Sequence, residues 1–140
     1  MSLEDIQISI VVENAGGELR ANVRAILFEI ETLLDKLLES GEGDSIDIHS
    51  LPLLPADYEG LEAVLGSGEV YAEIDGGNGP TVIVETGIPG VWWVSHYDDN
   101  DNVMAEFIEV TRIPELLMSP LEDIDDGLEG LRMQLAGGGH

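Results

Sequence analysis

A histidine and a glutamate near the middle of the chain are the first candidates for chemistry. His96 and Glu85 fall in two consecutive segments of strand-like composition, "TVIVETGI" and "VWWVSHY". A diagonal position across two paired strands would bring the carboxylate within reach of the imidazole, as a general-base pair requires. The sequence lacks a nucleophile beside an activating group and a Gly-rich turn that would hold an oxyanion, so a plain cross-strand pair is the favoured interpretation.

The acidic stretch after His96 is the second candidate. Asp98, Asn100 and Asn102, with Glu109 eleven residues after Asp98, partly match the ligand spacing of a helix-loop-helix calcium loop. Val103 stands where that loop requires glycine, and the flanking residues have the pattern of strands. We therefore predict a hairpin turn, no specific divalent-metal site and no cofactor.

Composition excludes several classes of function. The 140 residues include 29 acidic and 5 basic side chains, for a formal net charge of −24, which repels nucleic acid and anionic lipid. The absence of cysteine excludes disulfides, thiolate metal sites and a cysteine nucleophile. The start of the chain lacks the basic region of a signal peptide, and no apolar run approaches the ~18 residues of a membrane span. We therefore expect a soluble, cytoplasmic protein.

The N-terminal half is predicted to be mostly helical. Residues 1–16 alternate apolar and polar side chains, which is typical of a strand or an extended arm. Residues 17–40 carry a wide apolar stripe at helical spacing and end at Gly41, which predicts a long core helix rather than a leucine zipper. A short strand at 46–48 and a second helix over 55–65 are expected to follow.

The C-terminal half is predicted to be a sheet followed by a helix. Four consecutive strand segments joined by short turns indicate an antiparallel meander. Ser119, Pro120 and Glu122 match the start of a helix, and residues 136–140 are expected to be a flexible tail. The predicted fold class is therefore α+β, a single domain over 1–140, with the sheet packed against the long N-terminal helix and the C-terminal helix.

A Pro-Gly dipeptide determines which side chains face the core. If Pro89 and Gly90 are the central residues of a tight turn, Ile88 faces Val91, and the pairing of both strands follows by counting. Trp93 then lies on the core face, which we expect to pack against the long helix.

The opposite face of the sheet is mixed, apolar and acidic, and is a candidate interaction patch. The alternative is that the helix over 55–65 or the N-terminal segment covers this face, since apolar sheet faces are usually covered. The candidate partner-binding residues on it are Trp92, Glu85, Val94, His96, Phe107 and Glu109.

Three segments carry a resemblance to a known family. "GEVYAEI", "ETGIPGVWWVSHYD" and "EFIEVTRIPELL" are similar to the conserved C-terminal module of the HupH (HyaF-like) hydrogenase expression/formation proteins. The resemblance extends over about residues 19–131, and members of that family are commonly longer than this chain. It brings no catalytic residue. Besides Glu85, Trp92 and Glu109, the motif positions are Thr86, Ile88, Pro89, Gly90, Trp93, Arg112 and Pro114.

The resemblance implies an accessory role in the maturation of nickel-iron hydrogenases. Such a protein would hold a precursor subunit, with co-encoded maturation proteins as further partners, while iron-sulfur or metal centres are assembled before export. An acidic surface suits the basic start of a twin-arginine export signal. Two alternatives stay open: a small enzyme that uses His96 with Glu85 or the Asp98 cluster, and a self-assembling structural domain that forms homo-oligomers.

The two tryptophans provide a test of the interaction patch. If the Trp92 face binds a client, Trp92→Ala should leave stability nearly unchanged. Trp93→Ala should instead cost the ~3–5 kcal/mol typical of a large aromatic side chain removed from a core.

Overall fold

The structure, a computed structural model, describes residues 19–137. The predicted strand or arm over 1–16 lies outside the described residues, as do residues 138–140 of the predicted tail. The elements are, in chain order, α1 (Ala21–Ser40), β1 (Asp44–Asp47), α2 (Pro55–Leu65), β2 (Tyr71–Gly76), β3 (Gly79–Glu85), β4 (Val91–Tyr97), β5 (Val103–Val110), a 3₁₀ turn (Glu115–Leu117) and α3 (Leu121–Gly137).

The five strands form one antiparallel sheet in the order β1-β5-β4-β3-β2. Strands β2 to β5 are the predicted meander, and β1 pairs with β5 as an edge strand. The predicted α+β class, with a helix at each end of the sheet-forming region, is confirmed.

Helix α1 packs on one face of the sheet through its apolar stripe. Val23, Ile26 and Ile30 are buried in the main core. The helix ends at Gly41, whose backbone adopts the left-handed conformation with φ 78° and donates its N–H to Leu37 O at 2.8 Å. Glycine adopts this conformation without steric cost, which is why the helix stops there.

Helix α2 covers the same face as α1, since its Leu61 and Leu65 belong to the same core cluster. The two helices are joined by the buried carboxylate of Asp57. Asp57 accepts hydrogen bonds from Arg20 Nε, from Asn22 Nδ2 at 3.0 Å and from the N–H of Leu54 at 2.9 Å. These donors, with the Arg20 guanidinium first among them, hold the pKa of Asp57 at about 2.

The predicted Pro-Gly turn is present between β3 and β4. Pro89 and Gly90 are its central residues, with Gly90 at φ 90° and the Val91 N–H donating to Ile88 O at 3.0 Å. The strands do not pair up to this turn. The Thr86 N–H donates to Val91 O at 3.0 Å, and the buried Thr86 hydroxyl donates to the same oxygen at 2.8 Å, so the loop is longer than the predicted two residues.

The longer loop displaces the predicted β3–β4 pairing by two residues. Glu85 lies opposite Trp92, where counting from a two-residue turn predicted Val94. Because side chains alternate between faces with a period of two, an even displacement leaves every residue on its predicted face. The β4–β5 pairing places Trp92 opposite Glu109 and runs without interruption from Val91 to His96.

The predicted C-terminal helix α3 is present, but it is not packed into the body of the protein as expected. None of its residues is buried. The segment between β5 and α3 lies on the face of the sheet opposite α1 and α2: Pro114 is buried, and Leu117 packs against the apolar side chains of that face. Helix α3 therefore begins where the sheet is already covered.

No helix within residues 19–137 has the length and apolarity to cross a membrane.

Candidate functional site

The second face of the sheet, opposite α1 and α2, has a small core of its own. Ile83, Trp92 and Val94 are buried there. Side chains from β2, from β5 and from the 3₁₀ turn pack against these three: Ala72, Ile74, Phe107 and Leu117. The predicted assignment of Trp92, Val94 and Phe107 to one face is therefore confirmed.

Trp92 itself is covered rather than exposed. Only 6% of its surface is accessible, and its Nε1–H donates to Thr111 O at 3.0 Å. The Thr111 N–H in turn donates to Gly90 O at 2.9 Å, so two of the three segments that carry the family resemblance, the second and the third, pack on each other. The segment after β5 covers Trp92. Helix α2, which was one of the two predicted covers, lies on the other face of the sheet. The second predicted cover, the N-terminal segment, lies outside the described residues. Trp92 cannot serve as an exposed anchor for a client.

Trp93 faces the main core, as predicted, but is only half-buried. Its Nε1–H donates to Glu106 Oε2 at 2.9 Å, and the Ser95 hydroxyl donates to the same oxygen at 3.2 Å. The more deeply buried tryptophan is therefore Trp92, and the expected order of the two alanine substitutions in stability is reversed.

His96 and Glu85 are not brought together as a catalytic pair. His96 lies opposite Thr81, with Nδ1 2.8 Å from the Thr81 hydroxyl, and meets Phe107 edge-on with ring centroids 5.9 Å apart. Glu85 accepts the N–H of Glu69 at 2.9 Å. The displaced pairing of β3 and β4 removes the diagonal contact on which a His96–Glu85 pair depends.

The Asp98 cluster forms the predicted hairpin turn. Asp98 Oδ1 accepts the N–H groups of Asn100 at 2.8 Å and Asn102 at 2.9 Å, and these contacts, the bond from Asn102 first, lower the pKa of Asp98. Asp101 closes the turn with φ 64°. The carboxylate thus holds the loop in shape. Within residues 19–137, no three acidic or histidine side chains are grouped as a metal site would require.

An open cleft of about 830 Å³ lies beside the second face, between β1, the end of β5 and the chain that leads to α3. Its wall contains three carboxylates and three apolar side chains that are about half exposed. These residues are Asp44, Glu109 and Glu115, and Ile113, Leu116 and Met118. Of the predicted partner-binding residues, Glu109 is the one that lines this cleft.

Glu109 is the carboxylate in the cleft whose charge is least well solvated. Partial burial raises its pKa, the nearby Glu115 raises it further, and His96 acts in the opposite direction. Asp44 differs, since a hydrogen bond from the Ser45 N–H and the neighbouring Lys36 lower its pKa.

Most residues of the cleft could not be identified from the sequence. Ile113, Leu116 and Met118 follow β5 in a segment without helical or strand periodicity, so no pattern indicated which face they would occupy. The available signal was the motif that contains the exposed Arg112 and the buried Pro114, since it implied a fixed path for the chain after β5.

Comparisons with known proteins agree with the fold and identify a family. The profile of the family described as "HupH hydrogenase expression protein, C-terminal conserved region" matches residues 20–136. The solved structure of the hydrogenase expression protein HupH from Thiobacillus denitrificans superposes with a TM-score of 0.78 at 40% sequence identity, covering 84% of this chain and 97% of that chain.

Curated relatives carry matching descriptions. The hydrogenase expression/formation protein HoxQ of Azotobacter vinelandii is 35% identical over 88 residues, which are 63% of this chain and 31% of that protein. HupH of Rhodobacter capsulatus is 34% identical over 92 residues, 66% of this chain and 33% of that protein. The chain spans about a third of the length of these relatives. It belongs to the family of HupH hydrogenase expression proteins and corresponds to their C-terminal conserved region.

Proposed function

We propose that this chain is a chaperone-like accessory protein of nickel-iron hydrogenase maturation, which binds a hydrogenase precursor subunit through protein-protein contacts and catalyses no reaction. Membership of the family supports a role in hydrogenase maturation, since its members are named for hydrogenase expression and formation. The cleft beside Glu109 is the observation that supports binding. This role places the protein in the cytoplasm, where it acts before the precursor is exported, together with co-encoded maturation proteins.

The chemistry of the cleft favours a client segment that combines basic and apolar side chains. Leu116 and Met118 offer apolar contact, and Glu109 and Glu115 offer negative charge. A basic side chain next to Glu109 would relieve the cost of its partly buried charge. The net charge of −24 would also attract such a segment over a distance and speed its encounter.

The buried side chains of the second face have a supporting part in this proposal. Trp92 holds the segment after β5 against the sheet through Thr111, and Val94 and Phe107 fill the space beneath it. The cleft wall keeps its shape because this floor is packed. Of the predicted partner-binding residues, Glu109 then contacts the client, while Trp92 positions the segment after β5 that forms the cleft wall beside Glu109.

Binding to the isolated precursors of the two hydrogenase subunits, each titrated separately, tests the proposal. Leu116→Asp places a charge among the exposed apolar residues of the cleft and should weaken binding by about tenfold or more. Met104→Asp is the matched control, because Met104 is also an exposed apolar residue but lies outside the cleft. Binding should also weaken as salt is added.

Two results would contradict the proposal. One is that neither precursor binds the wild-type chain. The other is that Leu116→Asp and Met104→Asp bind a precursor equally well while both remain folded by circular dichroism, which would place the contact elsewhere.

A further inference from the structure

The exposed side of α3 has the spacing of a helix-pairing seam. Its apolar residues alternate at intervals of three and four, which is the narrow stripe of a coiled coil rather than the wider stripe of a helix on a core. Every residue of the seam is between 43% and 83% exposed: Leu121, Ile124, Leu128, Leu131 and Leu135.

Helix α3 has little to stabilise it on its own. It is 17 residues long, only a little above the ~12–15 residues below which isolated helices are marginal in water even when their sequence is favourable. Gly127 and Gly130 lie in its interior, and apart from their chain neighbours and the helix's own backbone no atom lies within 4 Å of where a Cβ would stand. Glycine in a helix interior weakens the helix. An uncovered apolar seam on such a helix therefore indicates a missing partner.

The charges beside the seam indicate which partner fits. Asp125 and Arg132 flank the seam on the same side, seven residues apart, and both are exposed. When two copies of the helix run antiparallel, Asp125 of one copy lies beside Arg132 of the other, and the second pair forms by symmetry. The remaining acidic residues of α3 lie away from this edge of the seam: Glu122, Asp123, Asp126 and Glu129.

We infer that α3 binds α3 of a second copy of this chain, antiparallel, with the two seams crossing at Leu128. A strongly basic partner helix fits less well, because Arg132 would then face like charge at the edge of the seam. Gly127 lies beside Leu128 on the other edge and leaves room for the second helix. The contact is separate from the cleft beside Glu109, so client binding does not require it.

Salt should strengthen this association. Two exposed ion pairs favour the antiparallel arrangement, but they contribute less to the free energy of association than the repulsion between two bodies that each carry a net charge of −24. Screening removes the repulsion, so the dimer should tighten between about 20 mM and about 500 mM NaCl. Client binding at the acidic cleft has the opposite salt dependence, and the two contacts can therefore be told apart.

Sedimentation equilibrium of the full chain at both salt concentrations tests the inference. The wild-type chain should show a monomer-dimer equilibrium, and Leu128→Asp should weaken it by about tenfold or more. Met133→Asp is the matched control, since Met133 is a 70% exposed apolar residue on the opposite side of the same helix and its substitution should leave the equilibrium unchanged. None of these side chains is buried, so the body of the protein should stay folded.

A charge exchange tests the antiparallel arrangement. Asp125→Arg alone and Arg132→Asp alone should each weaken the dimer, whereas the double variant should restore it, because it is again self-complementary. A chain that stays monomeric at all concentrations, a dimer that weakens with salt, equal effects of Leu128→Asp and Met133→Asp, or a double variant that fails to recover would each overturn the inference.

Discussion

The first and last helices of this protein use apolar residues in opposite ways. In α1 the apolar stripe is wide, and Val23, Ile26 and Ile30 are each no more than 5% exposed. In α3 the stripe is narrow, and its least exposed member, Leu128, is 43% exposed. The width of the stripe therefore distinguishes a helix that forms the core from one that presents a surface.

The difference follows from what each helix meets along the chain. Helix α1 lies against an open sheet face and is fixed to α2 by the Arg20–Asp57 contact. Helix α3 follows a segment that has already covered the second face, with Trp92 beneath it. The buried apolar side chains of the main core therefore lie around α1, whereas the apolar side chains of the cleft and of the α3 seam remain exposed.

The largest expected effect is at Trp92, which ties the segment leading to α3 to the sheet. Trp92→Ala should lower the free energy of unfolding by about 3–5 kcal/mol, since a large buried aromatic side chain is removed. Trp93→Ala should cost less, because Trp93 is only half-buried. Urea denaturation of both variants measures the order. A greater loss for Trp93→Ala would show that the segment after β5 does not cover Trp92.

The comparison between the two helices can be tested directly with matched truncations. Ile30→Ala in α1 should lower the free energy of unfolding by about 2–5 kcal/mol, because it leaves a cavity in the core. Leu128→Ala in α3 should change it by about 0.5 kcal/mol or less, as is usual for an exposed site. Urea denaturation at low protein concentration, where any dimer dissociates, gives both values. Similar losses for the two variants would contradict the contrast.

The buried carboxylate at the start of α2 should give a pH-dependent effect. The pKa of Asp57 is about 2 in the folded protein, below its ordinary value of ~3.9, so its contribution is present above about pH 4 and is lost as the pH falls towards 2. Asp57→Asn should therefore melt at a lower temperature than wild type at pH 7. The difference should shrink between pH 4 and pH 2. A constant difference would show that the charge of Asp57 is not involved.

The smallest expected effect, with the opposite sign, is at Glu109 in the cleft. Its pKa is raised in the folded protein by burial, so the charged form destabilises the fold, and this cost disappears as the pH falls and the carboxyl group is protonated. Glu109→Gln should raise the melting temperature slightly at pH 7 and leave it unchanged in acid. A lower melting temperature at pH 7 would show that Glu109 supports the fold instead of the cleft.

Much of the fold could be predicted from sequence because it depends on local signals. The left-handed glycine at Gly41 ended α1, and the Pro-Gly pair at 89–90 formed the expected turn. Alternation of side chains placed Trp92 and Trp93 on the correct faces even though the pairing was displaced by two residues. Only an odd displacement would have exchanged them.

The environment of the site could not be predicted, because it depends on contacts between distant residues. Trp92 is covered by a segment about 20 residues further along the chain that has no periodic pattern, through a hydrogen bond to the carbonyl of Thr111. The predicted contact between Glu85 and His96 was wrong for a related reason. The hydrogen bonds of Thr86 lengthen the loop, and Glu85 therefore lies opposite Trp92. Neither contact leaves a signal in residue spacing.

Hydrogen exchange of this chain, with and without a bound hydrogenase precursor, would locate the surface that binds the client. We expect the cleft beside Glu109 to hold the client, while the α1 side of the molecule only supports the fold. Binding should slow exchange at backbone amides of residues 111–120 and leave α1 and the edge strand β2 unchanged. Protection confined to α1 or β2, with residues 111–120 exchanging as before, would contradict the account.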